Sequence, residues 1–276
     1  MFRHVIVGVD GGPPGRDAIA VAKLLVAPDS RVVLAHVYEL TPQRGASGAY
    51  GVAENEGSRR LLEQEREATG VAAELTSLTA SSVGRGLHYL AETTAADLLT
   101  VGSSARSFAG RVLVGDITRA SLIGAPCAVA VAPLEYAEED GAIAQIGVGY
   151  DGSPESEAAL TFARELAAYH GASVSALTVV EPSPYAGLLR GSARREAYET
   201  RLQEAKDDLA ALEGVKGEVA LGLAGEELAT FGARVDLLIV GSRGYGPLRR
   251  LMLGSTAAHL ASNARCPLLV LPRLAE

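Results

Sequence analysis

Cysteine, tryptophan and aromatic residues in general are scarce in this sequence. Its 276 residues include two cysteines and no tryptophan, and aromatic residues make up 5% of the chain. Two thiols exclude a disulfide framework and favour a reduced, cytoplasmic protein. Few aromatic residues beside many alanines and glycines are typical of helices packed closely against a sheet rather than of a β-sandwich.

Long apolar runs and excess positive charge are also missing. No run approaches the ~20 apolar residues of a membrane-spanning helix, and the N-terminal stretch lacks the pattern of a signal peptide. The formal net charge is −8, and an acidic surface repels the phosphate backbone of nucleic acids. We therefore expect neither a membrane nor a nucleic acid as a partner.

The motifs of several common enzyme classes are absent. There is no Gly-x-x-x-x-Gly-Lys-Ser/Thr loop and no Gly-x-Ser-x-Gly nucleophile elbow. None of the histidines has a metal-ligand partner at a suitable spacing; they are His4, His36, His88, His170 and His259. We therefore expect no catalytic residue and no metal site. Among the histidines, His36 is the best candidate for lining a cleft in the first half.

The chain repeats itself. Residues 7–11, 97–103 and 127–133 return as 148–152, 236–242 and 266–272, at offsets of 139 to 141 residues. A nearly constant offset over three separated segments indicates a duplicated domain. We predict domains at 1–137 and 143–276, joined by the acidic stretch 135–141.

Each half alternates short apolar runs with helical patterns. After the apolar run 146–150, Ser153 suits a helix N-cap, Pro154 the first helical position and Gly171 the end of that helix. Such alternation predicts an α/β protein with two tandem, doubly wound, five-stranded parallel sheets. Ligands of such sheets bind beyond the carboxyl ends of the strands. Two segments, 42–56 and 182–192, are interpreted as loops over these clefts.

A glycine-rich segment in the second half has the composition of a phosphate site. Gly241-Ser242-Arg243-Gly244 is followed by nine residues and then by Gly254-Ser255-Thr256. A helix N-terminus after Gly254 offers free N–H groups to a phosphate, and Arg243 adds a cation. The alternative is that these glycines only punctuate a strand-to-helix turn.

This spacing resembles the nucleotide-binding signature of the ATP-binding universal stress proteins, and residues 148–153 resemble that family's first strand. The resemblance covers nearly the whole chain. It implies an adenine-nucleotide-alpha-hydrolase-like sheet with strand order 3-2-1-4-5. It also implies ATP, with or without Mg²⁺, as the ligand, and a role as a nucleotide-dependent stress sensor or regulator with an unidentified protein partner.

Carried over by position, the resemblance implies adenine and ribose contacts at Asp151 and Val179 and ribose-side contacts at Val240 and Gly241. It implies phosphate contacts at Gly244, Gly254, Ser255 and Thr256. The complete set of candidate ATP-binding residues is Gly149, Asp151, Val179, Val240, Gly241, Arg243, Gly244, Gly254, Ser255 and Thr256. Asp151 has a second interpretation, because an Asp before Gly-Ser-Pro is often a turn residue.

The first half departs from the signature. Ala105 stands where the second half has Gly244, and Asp116 stands where it has Ser255. A carboxylate ~4 Å from a phosphate charge costs about 4 kcal/mol at an effective dielectric near 20, which is about a thousandfold in affinity. We therefore expect the first domain to bind ATP very weakly or not at all.

Three further interpretations stay open. Residues 147–152 match Gly-x-Gly-x-x-Gly, and Glu181 follows the second strand, as in a dinucleotide fold. A slow ATPase and a ligand-free interaction scaffold are the alternatives to a nucleotide sensor.

Cys127 and Cys266 suit small-residue packing. The last strands of the two domains are expected to pair with each other as an internal pseudo-dimer, and a further homodimer stays open.

Overall fold

The structure is a computed structural model. It describes residues 1–39, 48–103, 106–108, 111–113, 116–138, 141–181, 192–242, 251 and 254–272. Among these, side chains are left undescribed at 48–54, 106–108, 111–113, 116 and 192–194.

Within its described residues, the first domain contains seven strands and four helices. Its strands are β1 (Phe2–Gly8), β2 (Val26–Glu39), β3 (Glu74–Ala80), β4 (Leu98–Gly102), β5 (Arg106–Phe108), β6 (Arg111–Leu113) and β7 (Ala128–Ala132). Its helices are α1 (Pro13–Leu25), α2 (Gly48–Thr69), α3 (Val83–Thr94) and α4 (Asp116–Leu122).

The described part of the second domain repeats the pattern with five strands and four helices. Its strands are β8 (Gln145–Gly149), β9 (Ser173–Val180), β10 (Lys216–Leu221), β11 (Leu237–Gly241) and β12 (Leu268–Leu271). Its helices are α5 (Pro154–His170), α6 (Ser192–Ala210), α7 (Ala224–Gly232) and α8 (Ser255–Asn263). The predicted start and end of α5 are confirmed, because Ser153 Oγ accepts the Ser156 N–H and Gly171 is the left-handed C-cap.

Ten of these strands form one continuous sheet in the order β10-β9-β8-β11-β12-β7-β4-β1-β2-β3. Each half therefore has the predicted order 3-2-1-4-5, and its own strands are parallel. The halves meet where β7 pairs antiparallel with β12. The expected pairing of the two last strands is thus present, and it places both at the centre of the sheet.

Helices cover both faces of the sheet. On β1, Val5 and Val7 belong to one apolar layer and Ile6 belongs to the other, as expected for a strand buried on both sides. One layer packs against α1, α2, α5 and α6 and the other against α3, α4, α7 and α8. Both layers run across the two domains, so the domains share their core.

In the first domain, one pair of strands was not predicted and one expectation was wrong. Strands β5 and β6 form a separate antiparallel hairpin that the pattern of five strands did not include. Residues 42–56 were expected to be a loop, but α2 begins at Gly48. The pairs Glu56–Arg60 and Arg59–Glu63, four residues apart, favour the helix in its middle. The rest of that segment, and residues 182–191, lie outside the described residues.

The connection between the domains is tied to the first helix. Buried Asp17 accepts the N–H groups of Glu135 at 3.1 Å and Ala137 at 2.8 Å. A short 3₁₀-helix, Tyr136–Glu138, follows, and Tyr136 is buried. Burial raises the pKa of the Asp17 carboxyl, while these hydrogen bonds oppose the rise. Part of the predicted linker is therefore ordered.

In the described part of the chain, no helix has both the length and the apolar character that spanning a membrane requires.

Candidate functional site

A cavity of about 530 Å³ opens at the carboxyl ends of β8, β9 and β11 in the second domain. This is the edge at which ligands bind in open α/β sheets. Its wall is formed by the strand ends, the first turn of α5, α7 and the start of α8. The lining residues that the next paragraphs use are Gly149, Asp151, Ser153, Glu155, Val179, Glu181, Arg201, Val240, Gly241, Gly254 and Thr256.

Seven of the ten candidate residues line this cavity, although they come from four separate segments of the chain. They are Gly149, Asp151, Val179, Val240, Gly241, Gly254 and Thr256. Ser255 is exposed at the first position of α8 and is not part of the described wall. Arg243 and Gly244 lie outside the described residues. A ligand role for each of the ten stays a prediction.

Asp151 forms the turn that its sequence context suggests. Its Oδ1 accepts the backbone N–H of Ser153 at 3.1 Å and the hydroxyl of Ser153 at 2.5 Å. In the first domain, Asp10 Oδ1 accepts the Gly12 N–H at 2.9 Å in the same way. The turn interpretation is therefore confirmed in both domains. Asp151 also lines the cavity, so the turn does not exclude contact with a ligand.

The start of α8 offers backbone donors to the cavity. Its N-cap is Gly254, in an extended conformation (φ −67°, ψ 162°), and its first turn contains no acidic residue. Because Gly254 has no side chain, the N-cap cannot itself accept the N–H groups of the first turn, as Ser153 does in α5. This end of α8 is therefore suited to an anion.

Two kinds of comparison relate this fold to known proteins. The sequence model described as the universal stress protein family matches residues 1–133 and 143–272. The chain belongs to the universal stress protein family. The crystal structure of a universal stress protein from Archaeoglobus fulgidus matches over 98% of both chains, with a TM-score of 0.69 and 18% identity. That likeness supports the tandem fold alone.

Curated relatives match shorter stretches. A universal stress protein from Thermus aquaticus is 34% identical over 131 residues, which are 45% of this chain and 94% of that protein. One from Mycobacterium tuberculosis is 32% identical over 185 residues, which are 63% of this chain and 61% of that protein. The family resemblance read from the glycine-rich segment is thereby confirmed.

In this universal stress protein, Gly241 has a packing role of its own. A Cβ there would lie 2.7 Å from the Cβ and the carbonyl oxygen of Glu155, and one at Gly102 would lie 2.0 Å from the Pro14 carbonyl oxygen. The helix after the first strand therefore packs against the end of the fourth strand in both domains. This packing brings the first turn of α5 into the cavity wall.

Arg201 is a cavity residue that the sequence reasoning missed. It lies on α6, and its Nη1 donates to the Glu181 carbonyl oxygen at 2.9 Å. Among the described lining residues it is the one cation. The sequence carries Leu202, Ala205 and Leu209 at helical spacing, and Arg201 lies next to this apolar stripe. That stripe alone does not indicate which strand end lies beneath the helix.

The dinucleotide interpretation gains no support from the geometry. Gly147 and Gly149 both lie inside β8 rather than in a turn, and a Cβ on Gly147 would come within 2.7 Å of the Phe231 ring. The Glu181 carboxylate accepts the Ala224 N–H at 3.0 Å and so holds the start of α7. Packing and capping account for these residues.

Tyr150, a further lining residue, links the end of β8 to helix α5. Its side chain is buried, and its hydroxyl donates to the Glu157 carboxylate on the first turns of α5. Burial, followed by this hydrogen bond, raises the pKa of Tyr150 to about 12. The phenol therefore stays protonated at neutral pH and fixes α5 against the end of β8.

In the first domain, the described residues at the corresponding strand ends differ from those of the second domain's cavity. The strand registers make His36 the equivalent of Thr178 in the second domain, and Thr178 does not line the cavity. His36 Nδ1 instead lies 2.7 Å from the Val9 carbonyl oxygen. The expectation that His36 lines a cleft is therefore not supported. Ala105 and the Asp116 side chain lie outside what the structure describes, so the argument from Asp116 stays a prediction.

Proposed function

We propose that this universal stress protein binds ATP in the cavity of its second domain and that its first domain binds ATP very weakly or not at all. Nucleotide occupancy then sets a conformation or a partner interaction in a stress response. The observation that carries the proposal is the cavity itself. It gathers seven residues chosen from the family signature, from four separate segments, at the ligand-binding edge of the sheet.

The cavity has chemically distinct parts that suit the parts of ATP. Leu177, Val179, Leu228 and Val240 give an apolar wall for the adenine ring. The N-terminus of α8, with Gly254 and Thr256, suits the phosphates. Asp151, Glu155 and Glu181 also line the cavity, and a Mg²⁺ ion carried with ATP would offset their repulsion of the phosphates.

Binding is favoured over hydrolysis. No histidine or lysine is among the described lining residues. Of the three carboxylates in the wall, Glu181 accepts a backbone N–H, Asp151 holds its own turn, and Glu155 is engaged by another group of the protein. A general base must be free to accept a proton from the attacking water. The proposal is therefore a nucleotide-dependent regulator rather than an ATPase.

The proposal is tested by calorimetric titration of ATP into the protein and two variants at Ser255. Ser255→Asp places a carboxylate at the start of α8, and we expect it to weaken ATP binding about a thousandfold. Ser255→Ala, the matched control, removes only a hydroxyl, and we expect a loss of about tenfold or less. Equal affinity in wild type and Ser255→Asp would refute a phosphate site at this helix.

A further inference from the structure

One residue of the second domain's glycine-rich segment is held by the first domain. Leu251, three residues before Gly254, is fully buried in an apolar cluster that includes Leu122 and Ala125 of the first domain. Its N–H donates to the Ala125 carbonyl oxygen at 2.8 Å, and its carbonyl oxygen accepts the Gly124 N–H at 2.8 Å. Two reciprocal backbone hydrogen bonds thus join the segment to the turn after α4.

Other contacts reach the same region from the domain boundary. The Ser242 N–H donates to the Leu271 carbonyl oxygen on β12 at 2.9 Å, and β12 pairs with β7 of the first domain. The first domain's strand β6 also contacts α8. The described residues on both sides of the segment are therefore fixed by elements at or across the domain boundary.

We infer that the first domain positions the N-terminus of α8, the proposed phosphate site, through the bond pair between Leu251 and the Gly124–Ala125 turn. The inference rests on the proposed function, because it concerns the affinity of the same site. A helix N-terminus held in place before ATP arrives loses less conformational freedom on binding, so the bond pair raises the affinity. By linkage, bound ATP must also stabilise the bond pair by the same factor.

The turn can be tested without making a cavity in the core. Gly124 has a left-handed φ of +78° with open space where a Cβ would lie, so Gly124→Ala disturbs only the backbone of the turn. Gly70 in the same domain has φ +62° and the same open space, and it lies at the end of α2, away from the second domain's cavity. Gly70→Ala is therefore the matched control for strain.

Calorimetric titration of ATP into the full chain gives the first readout. Strain at Gly124 is relieved when the bond pair opens, and ATP binding must close the pair again. We expect Gly124→Ala to weaken ATP binding about threefold to tenfold, and Gly70→Ala to leave it unchanged. Equal affinities in the two variants would overturn the inference.

Hydrogen exchange of the Gly124 and Leu251 amides gives a readout that does not need ATP. Without ATP, we expect these amides to exchange faster in Gly124→Ala than in wild type or Gly70→Ala. ATP should slow them in wild type, which a purely structural contact would not do. If wild type binds no ATP, the proposed function fails, and unchanged exchange in Gly124→Ala would then refute the anchoring as well.

A second variant protects the test against a general loss of folding. Leu251→Ala removes the buried side chain of the same residue, and Leu87→Ala removes an equally buried leucine of the same layer on α3. Both should lower stability through a cavity. We expect only Leu251→Ala to weaken ATP binding, and equal weakening in both would contradict the inference.

Discussion

Several cavity residues also hold the backbone. Asp151 closes the turn after β8, and Glu181 holds the first N–H of α7. Replacing either residue would alter the fold and the cavity together, so a loss of binding would be ambiguous. Arg201 is different, because its side chain is exposed and its recorded hydrogen bond is to a backbone carbonyl at the cavity edge.

Arg201→Met therefore isolates the contribution of a cation to ATP binding. We expect the affinity for ATP to fall about threefold to tenfold, because the cavity loses the one cation among its described lining residues and ATP is a polyanion. Arg164→Met is the matched control, because Arg164 also donates to a backbone carbonyl, that of Glu213 at 2.8 Å, but lies outside the cavity wall. Titration of ATP into both variants checks this. Equal affinities for ATP in the two variants would show that Arg201 does not contribute to the site.

At the scale of elements, the strands and most helices follow from local patterns. The run 146–150 and the Ser153-Pro154 start predict β8 and α5, and the structure places them within a residue. The 3-2-1-4-5 order came from the family resemblance, because periodicity does not say which strands are neighbours.

The elements that were missed depend on tertiary contacts. Strands β5 and β6 have three residues each, which is too short for a two-residue alternation to be recognised. Helix α2 begins in a stretch rich in glycine, where composition indicated a loop. The position of Arg201 in the cavity also depends on how α6 packs on the sheet. For the candidate site, the sequence identified the strand ends and the helix start but not this wall.

The N-cap of α5 links an element's stability to the cavity. Ser153 caps α5 and lines the cavity, whereas Ser82 caps α3 in the first domain and accepts the Arg85 N–H. We expect Ser153→Ala and Ser82→Ala each to lower the free energy of unfolding by about 1 kcal/mol. Only Ser153→Ala should also weaken ATP binding, because it removes one of the two hydrogen bonds with which Ser153 holds the Asp151 carboxylate at the cavity. Denaturant titration and calorimetry check the two effects. A similar affinity for ATP in both variants would show that the N-cap of α5 does not affect the site.

At the scale of the whole molecule, the antiparallel join of β7 and β12 has two consequences. The strands of the two halves run in opposite directions. Their carboxyl ends therefore lie on opposite sides of the molecule, at the two ends of the strands in the shared sheet. The pairing of β7 and β12 also makes the apolar layers continuous across the join. A substitution in the core of one domain is therefore expected to lower the stability of the other domain as well.

The shared core predicts that both domains unfold together. Cys127 and Cys266 are buried, one in each domain, and burial raises the pKa of each thiol to about 12. A thiol that stays protonated at pH 8 reacts slowly, so we expect neither to be alkylated in the native protein. In increasing urea, both should become reactive at the same concentration, as site-resolved mass spectrometry would show. Earlier reaction of one cysteine would indicate that its domain unfolds separately.

The central claim is one ATP site per chain, in the second domain. The most direct measurement is to denature purified protein, identify the released nucleotide by anion-exchange chromatography and mass, and then titrate the emptied and refolded chain with ATP. The account predicts a stoichiometry close to one ATP per chain in wild type and none in Ser255→Asp. Two nucleotides per chain, or one that persists in Ser255→Asp, would contradict it.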